Sequence, residues 1–195
     1  MYKRQLFGSG GNDALLGGLG NDQLTGGEGD DALAGGDGDD QFPSSAAREG
    51  ADRFTGGAGL DTVSYEKRRA SVDVSPGSYA DDGETGEHDL VGSDVERLVG
   101  GAGADWLSGG SAANRIVGGP GGDLILGGGG ADVLLGGTGG DALRGGAGND
   151  RLLGQAGSDV LAGNAGNDSL DGGAGRDTSL DTSRFDRLRG FEVRR

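Results

Sequence analysis

The sequence predicts an all-β fold, a solenoid of very short parallel strands wound with two repeats per coil, on three observations. A nine-residue unit, Gly-Gly-x-Gly-x-Asp-x-apolar-x, recurs fifteen times and takes up 135 of the 195 residues. Its glycines, aspartates and aliphatic residues keep fixed columns from copy to copy. The stretch from position 7 to position 9 has room only for a short strand whose middle residue faces one side while its neighbours face the other.

Composition taken alone would point elsewhere. Leu, Val, Phe and Ile together make 38 of 195 residues, 48 are glycine, and the formal net charge is −15, which is the profile of a disordered chain. The strict period overrides that profile, because a Gly-rich coil would scatter its glycines and leucines. Collagen is excluded by 3 prolines and the lack of a triplet period. Without cysteine there is no disulfide framework and no thiolate metal site. No apolar run approaches the roughly 18 residues of a membrane span, and Met1 to Gly8 lacks a signal peptide's apolar segment. The acidic balance disfavours nucleic acid and anionic membranes and leaves cations as the natural partners.

In chain order, an N-terminal block (1–64) holds four units without a gap from Gly8 to Pro43 and, after the insertion Ser44 to Ala46, two more from Ala47 to Ser64. Residues 65–99 break the period. Alternation at Val72 and Val74, and again near Val91, Val95 and Leu98–Val99, reads as strands flanking a surface loop from Pro76 to Asp89, continuous with the same solenoid. A C-terminal block (100–180) holds nine unbroken units. The tail (181–195) is basic, and Phe185, Leu188, Phe191 and Val193 are available to cover the open end of the core, as a solenoid requires.

Each column has a physical reason. Position 1 is Gly in 14 of the 15 copies, position 2 in 11 and position 4 in 14; glycine there lets the backbone take positive φ and turn its carbonyls toward a common centre. Position 8 is apolar in 14 copies, the exception being Ser179, so Leu15, Leu24, Leu33, Phe42, Phe54 and Val63, then Leu107 through Leu170, should line the interior. Two units make a coil, so unit n stacks on unit n+2 at about 4.8 Å.

That stacking aligns the position-6 aspartates into ladders. In the long block one ladder is Asp105, Asp123, Asp141, Asp159 and Asp177, and the other is Asn114, Asp132, Asp150 and Asp168; in the short block they are Asp13, Asp31, Asp52 and Asp22, Asp40, Asp61. Like charges at coil spacing repel by about 1 kcal/mol or more per neighbour, so the coils need a counterion. Calcium accepts six to eight oxygens in flexible geometry, whereas magnesium demands a tight octahedron and retains water. Zinc, copper and iron favour imidazole or thiolate, and the chain has one His and no Cys.

The unit resembles the RTX, or haemolysin-type, calcium-binding nonapeptide repeat, and the resemblance covers all fifteen copies. It implies a parallel β-roll in which each calcium ion lies between turns n and n+2, held by position-6 aspartates and by turn carbonyls. Carried onto this sequence, the turn glycines of the most regular units are Gly118, Gly119, Gly121, Gly127, Gly128, Gly130, Gly136, Gly137, Gly139, Gly145, Gly146 and Gly148. The long block then allows seven ions and the short block at most four, seven to eleven in all. Departures fall at Asn114 and Ala112, at Ala47-Arg48-Glu49, and at Gln155 and Asn164 in position 2, where Asn tolerates a left-handed backbone better than Gln.

Other motifs carry less. His88, beside Glu87 and Asp89, reads as a solvated loop histidine, since no nucleophile or second ligand stands at fixed spacing. Glu66-Lys67-Arg68-Arg69 reads as a solvated face. Asn167-Asp168-Ser169 matches a glycosylation acceptor only because the repeat generates it. Neither His-Glu-x-x-His nor Gly-x-Ser-x-Gly occurs, so no enzymatic activity is expected. The expected function is a secreted, extracellular calcium-binding module whose folding is coupled to calcium. The alternatives are an accessory domain of a larger extracellular enzyme (protease, lipase or polysaccharide epimerase) or an adhesin or surface-matrix spacer. An upstream domain of a parent protein and a type I exporter are the further partners such a module implies, and the tail could serve as a C-terminal export signal, though a basic cap fits it better.

Overall fold

The computed structural model describes residues 3–77, 81–181 and 186–191. Its strands are β1 (Gln5–Gly10), β2 (Ala14–Leu19), β3 (Gln23–Glu28), β4 (Ala32–Asp37), β5 (Gln41–Pro43), β6 (Arg53–Ala58), β7 (Thr62–Ser64), β8 (Val72–Val74), β9 (Gly83–Glu84), β10 (Leu90–Val91), β11 (Arg97–Val99) and β12 (Trp106–Ser108). They continue with β13 (Arg115–Pro120), β14 (Leu124–Gly129), β15 (Val133–Thr138), β16 (Ala142–Ala147), β17 (Arg151–Ala156), β18 (Val160–Ala165), β19 (Ser169–Ala174), β20 (Thr178–Ser179) and β21 (Arg187–Arg189). No helix occurs among the described residues, and so none long and apolar enough to cross a membrane.

Pairing follows the eighteen-residue coil. In the long block Leu134 stands opposite Ile116 on one side and Leu152 on the other, and Ile125 lies between Leu107 and Leu143, all in parallel register. Alternate strands therefore build opposite faces of a parallel β-roll. One face is a single ten-stranded sheet, β1-β3-β5-β7-β11-β13-β15-β17-β19-β21; the other is divided into β10-β6-β4-β2 and β20-β18-β16-β14-β12-β8-β9. Position-8 side chains run in single file between the faces, and Leu24, Phe42, Leu107, Ile116, Ile125, Leu134, Leu143, Leu152 and Leu161 are wholly buried. Leu15, in the first coil, is only partly buried. Trp106, at position 7, points outward and is about half exposed.

The strands are longer than the three residues expected. Most span six, from position 7 of one unit to position 3 of the next. Position 1 is the inward-facing residue of that second half, and it explains its glycine differently from the sequence reading. Gly127 has no positive φ, but a Cβ on it would run into both Asp132 Oδ2 and the carbonyl oxygen of Gly145. The left-handed backbone belongs to positions 2 and 4, as at Gly128 (φ 100°) and Gly130 (φ 99°). Ser9, Gln155 and Asn164 adopt positive φ at position 2 without being glycine.

Residues 65–99 splice the roll. β11 joins β7 to β13 and keeps the ten-stranded sheet unbroken, while β10 adds to β6, and β8 adds to β12 and folds back on β9 as an antiparallel pair. Where the divided face lacks a ladder between β8 and β10, the buried Asp82 carboxylate bridges them by accepting from the Ser75 N–H (2.6 Å) and the Val91 N–H (2.8 Å). The segment from Pro76 to Asp89 is thus more than a surface loop: Asp82, Glu87 and Asp89 are buried, and His88 is exposed.

The run Glu66-Lys67-Arg68-Arg69 is solvated except at one residue, which corrects the sequence reading. Arg68 is 1 % exposed, because its guanidinium meets Glu87 (2.5 Å), Glu84 (3.5 Å) and Glu49 (3.8 Å). Three acids drawn from the splice and from the Ser44–Ala46 insertion region compensate that buried charge.

Candidate metal centre

The ladders form as the spacing requires. Each position-6 backbone N–H donates to the carboxylate of the corresponding residue one coil on. Along one edge Asp105 donates to Asp123 Oδ1 (2.9 Å), Asp123 to Asp141 (2.9 Å), Asp141 to Asp159 (2.8 Å) and Asp159 to Asp177 (3.0 Å). Along the other, Asn114 donates to Asp132 (2.7 Å), Asp132 to Asp150 (2.9 Å) and Asp150 to Asp168 (2.8 Å). The short block repeats the pattern from Asp13 to Asp31 and Asp52, and from Asp22 to Asp40 and Asp61.

Only one oxygen of each carboxylate is used this way. Oδ2 is buried without any hydrogen-bond partner in Asp13, Asp31, Asp40, Asp61, Asp123, Asp132, Asp141, Asp150, Asp159, Asp168 and Asp177, while that of Asp22 faces the Arg4 guanidinium at 3.4 Å. A buried anionic oxygen without a partner is costly, and here it recurs at nearly every rung. Burial, together with the neighbouring carboxylates, pushes Asp123, Asp132 and Asp141 up to about 6, against the opposing effect of the N–H that each accepts. Asp52 and Asp61 are likewise raised to about 6, burial again being the main cause.

Two rungs of the long block are closed differently. Asp105 Oδ2 accepts the Gly101 N–H (2.6 Å) and Asn114 Oδ1 accepts the Gly110 N–H (2.9 Å), and neither glycine has positive φ. The ladder beyond Asp105 continues to Val72, whose N–H donates to Asp105 Oδ1 (2.9 Å) but which brings no carboxylate.

The structure also brings in acids from outside the fifteen regular units. Asp52 N–H donates to Asp89 Oδ1 (2.9 Å), Asp61 N–H to Glu96 Oε2 (3.0 Å) and Asp168 N–H to Asp186 Oδ1 (2.9 Å). Each occupies position 6 of a unit that lacks the glycines of positions 1 and 4, with an apolar residue two places on: Val91, Leu98 and Leu188. Asp89 differs from the rest, since its Oδ2 accepts the Tyr65 hydroxyl (2.8 Å) and burial raises it to about 7.

The donor set fits a hard divalent cation. Unpartnered carboxylate oxygens lie beside a glycine cradle that a Cβ would fill, and the chain has no thiolate while its one imidazole is solvent-exposed. A model of the RTX calcium-binding nonapeptide repeat matches residues 7–42, 46–65, 91–125, 108–143, 126–161 and 144–178, well over half of the chain.

The chain belongs to the RTX calcium-binding nonapeptide-repeat family. Its β-roll is accordingly a structural fold of calcium-binding repeats, and calcium is the cation it binds. The matches reach into the splice from residue 91, which agrees with Glu96 and Leu98 taking repeat positions. No curated protein matches the chain.

Proposed function

We propose that this RTX chain is a secreted module that stays unfolded in low calcium and folds when calcium fills the turns. The observation that carries the proposal is the run of buried Oδ2 atoms without partners along both ladders. Position-6 aspartates Asp13, Asp22, Asp31, Asp40, Asp52, Asp61, Asp105, Asp123, Asp132, Asp141, Asp150, Asp159, Asp168 and Asp177 would hold the ions, together with turn carbonyls of the glycine positions such as Gly127, Gly128 and Gly130. Calcium would supply the positive charge that lets stacked carboxylates approach. Seven to eleven ions follow from the pairings of units n and n+2. The pairings from Asp123 onward are the strongest, because Asp105 and Asn114 already spend their oxygens on backbone N–H groups.

The core supports coupling of folding to binding. One aliphatic side chain per nine residues is a thin core, and raised carboxylates oppose closure of the empty roll. When the unfolded chain has no preformed site, binding free energy becomes folding free energy. Extracellular calcium would then be the trigger, and an unfolded chain suits an exporter. We further propose four functional regions, 1–64, 65–99, 100–180 and 181–195, with the second acting as a splice inside one roll.

The test is a calcium titration of the full chain, followed by Trp106 fluorescence and far-UV circular dichroism. A disordered spectrum is expected in chelator, with a cooperative gain of β signal at about 0.1–1 mM calcium and little response to magnesium. An identical folded spectrum in chelator would refute coupled folding. Replacing Asp132, Asp141 and Asp150 together by Ala should weaken the calcium response of the long block; an unchanged titration would refute the site assignment.

A further inference from the structure

The end of the roll holds a carboxylate cluster that the repeat does not account for. β21 adds to β19 in register, Leu188 opposite Leu170, with Arg187 N–H donating to the Asp168 carbonyl (2.8 Å). The tail therefore continues the ten-stranded sheet as well as covering the core. Phe191 packs against the core and Leu188 stays about half exposed, whereas Phe185 and Val193 lie outside the described residues.

Asp186 stands one coil beyond Asp168, as a repeat aspartate would. Asp181 stands one coil beyond Gly163, at position 1, where fourteen of fifteen units have glycine. Its Oδ2 accepts from Gly163 N–H (2.6 Å) and Asn164 N–H (3.1 Å). Carboxylate oxygens of Asp168, Asp181 and Asp186 lie within 4.8 Å of one another. Asp168 is 2 % exposed, and its Oδ2, like that of Asp186, is buried with no hydrogen-bond partner.

We infer that Asp168, Asp181 and Asp186 form a terminal calcium site, with one carboxylate more than a regular pair of repeats supplies, whose filling clamps the tail strand onto the roll. The inference rests on the calcium reading proposed above. Three acids converging on a buried, unpartnered oxygen call for a cation, and the all-oxygen donor set selects calcium over softer metals. Calcium affinity rises with the charge of the ligand set, so this site fills ahead of the two-carboxylate repeats.

The experiment titrates calcium chloride into the chelator-stripped full chain and reads two signals. Trp106 fluorescence reports the roll about 20 Å away, four coils of about 4.8 Å. Amide hydrogen exchange of Arg187, Leu188 and Arg189 reports the tail. In the wild type, tail protection should appear at or below the calcium concentration that orders the roll. Asp181→Asn keeps an oxygen for the Gly163 and Asn164 N–H groups while removing the charge. It should shift the tail midpoint upward by roughly tenfold or more and move the Trp106 midpoint by less than about twofold, and Asp186→Asn should do the same. Tail midpoints unchanged in both variants, or a tail already protected in chelator, would overturn the terminal site while leaving calcium binding by the roll intact. A chain in which neither signal responds to calcium would overturn both.

Discussion

Replacing Asp141 by Asn should change the stability of this protein in opposite directions with and without calcium. Asp141 is buried, gives Oδ1 to the Asp123 N–H (2.9 Å) and leaves Oδ2 without a partner. Burial first, and the Asp159 charge after it, raise its carboxyl from 3.8 to about 6. The empty roll thus holds that proton more tightly than the unfolded chain does. Below the unfolded value both states are protonated and nothing is lost. Between 3.8 and 6 the unfolded chain ionises while the folded carboxyl keeps its proton, so the penalty builds across that window, and at pH 7.5 it is complete, about 3 kcal/mol for a shift of about two pH units. Asn escapes the penalty and can still accept the Asp123 N–H. In calcium the sign reverses, because in the proposed sites Asp141 serves the pairings on both sides of it, and loss of a ligand should cost at least the roughly 10–100-fold that loss of an outer-shell partner costs, or about 1.4–2.8 kcal/mol per site. The assay has two arms at pH 7.5, followed by circular dichroism: osmolyte-induced ordering in chelator and calcium titration without osmolyte. The variant should order at lower osmolyte and at higher calcium than the wild type. A variant weaker in both arms would show that the empty ladder carries no electrostatic strain, and the reasoning would fail.

Acidification should substitute in part for calcium. Asp52, Asp61, Asp123, Asp132 and Asp141 are all raised from 3.8 to about 6, so in chelator the β signal should stay level above about pH 6.5 and grow as pH falls from about 6 toward 4, and a flat profile across that range would count against the raised carboxylates. Two glycine substitutions should separate cradle from turn. Gly127→Ala places a methyl against Asp132 Oδ2 and the Gly145 carbonyl and should weaken calcium binding, whereas Gly110→Ala meets nothing within 4 Å and should change stability by less than about 0.5 kcal/mol; equal effects in calorimetric titrations would refute the cradle. Arg68→Met leaves Glu49, Glu84 and Glu87 facing one another without their cation, and should cost about 3–5 kcal/mol, read as a lower melting midpoint in saturating calcium. An unchanged midpoint would remove Arg68 from the splice's structural role.

The regular units were legible because each column answers to a constraint inside one coil: position 8 to the interior, position 6 to the ladder, position 2 to a left-handed backbone. Asp89, Glu96 and Asp186 are not legible in the same way because their units keep the acid and the apolar residue two places later but lack the glycines of positions 1 and 4. That acid-x-apolar spacing, in phase with the sheet, was the available signal. Arg68 could not be placed from sequence, since its partners lie 16 to 19 residues away on segments whose approach depends on how the splice folds.

The coil is written in the repeat: its length, its stacked register, its single-file core and the concentration of acidic charge in two edges. Setting aside the fourteen position-6 aspartates leaves 18 acidic against 17 basic residues, so the net charge of −15 is a property of the ladders. Which rungs keep an oxygen free depends on how the coils stack. In the long block Asp123 through Asp177 do, Asp105 and Asn114 do not, and Asp181 with Asp186 adds a cluster at the end. The physical reason is that a period records which residues recur, while the second oxygen of a carboxylate is satisfied or left bare by backbone groups whose orientation depends on the local turn and the neighbouring coil.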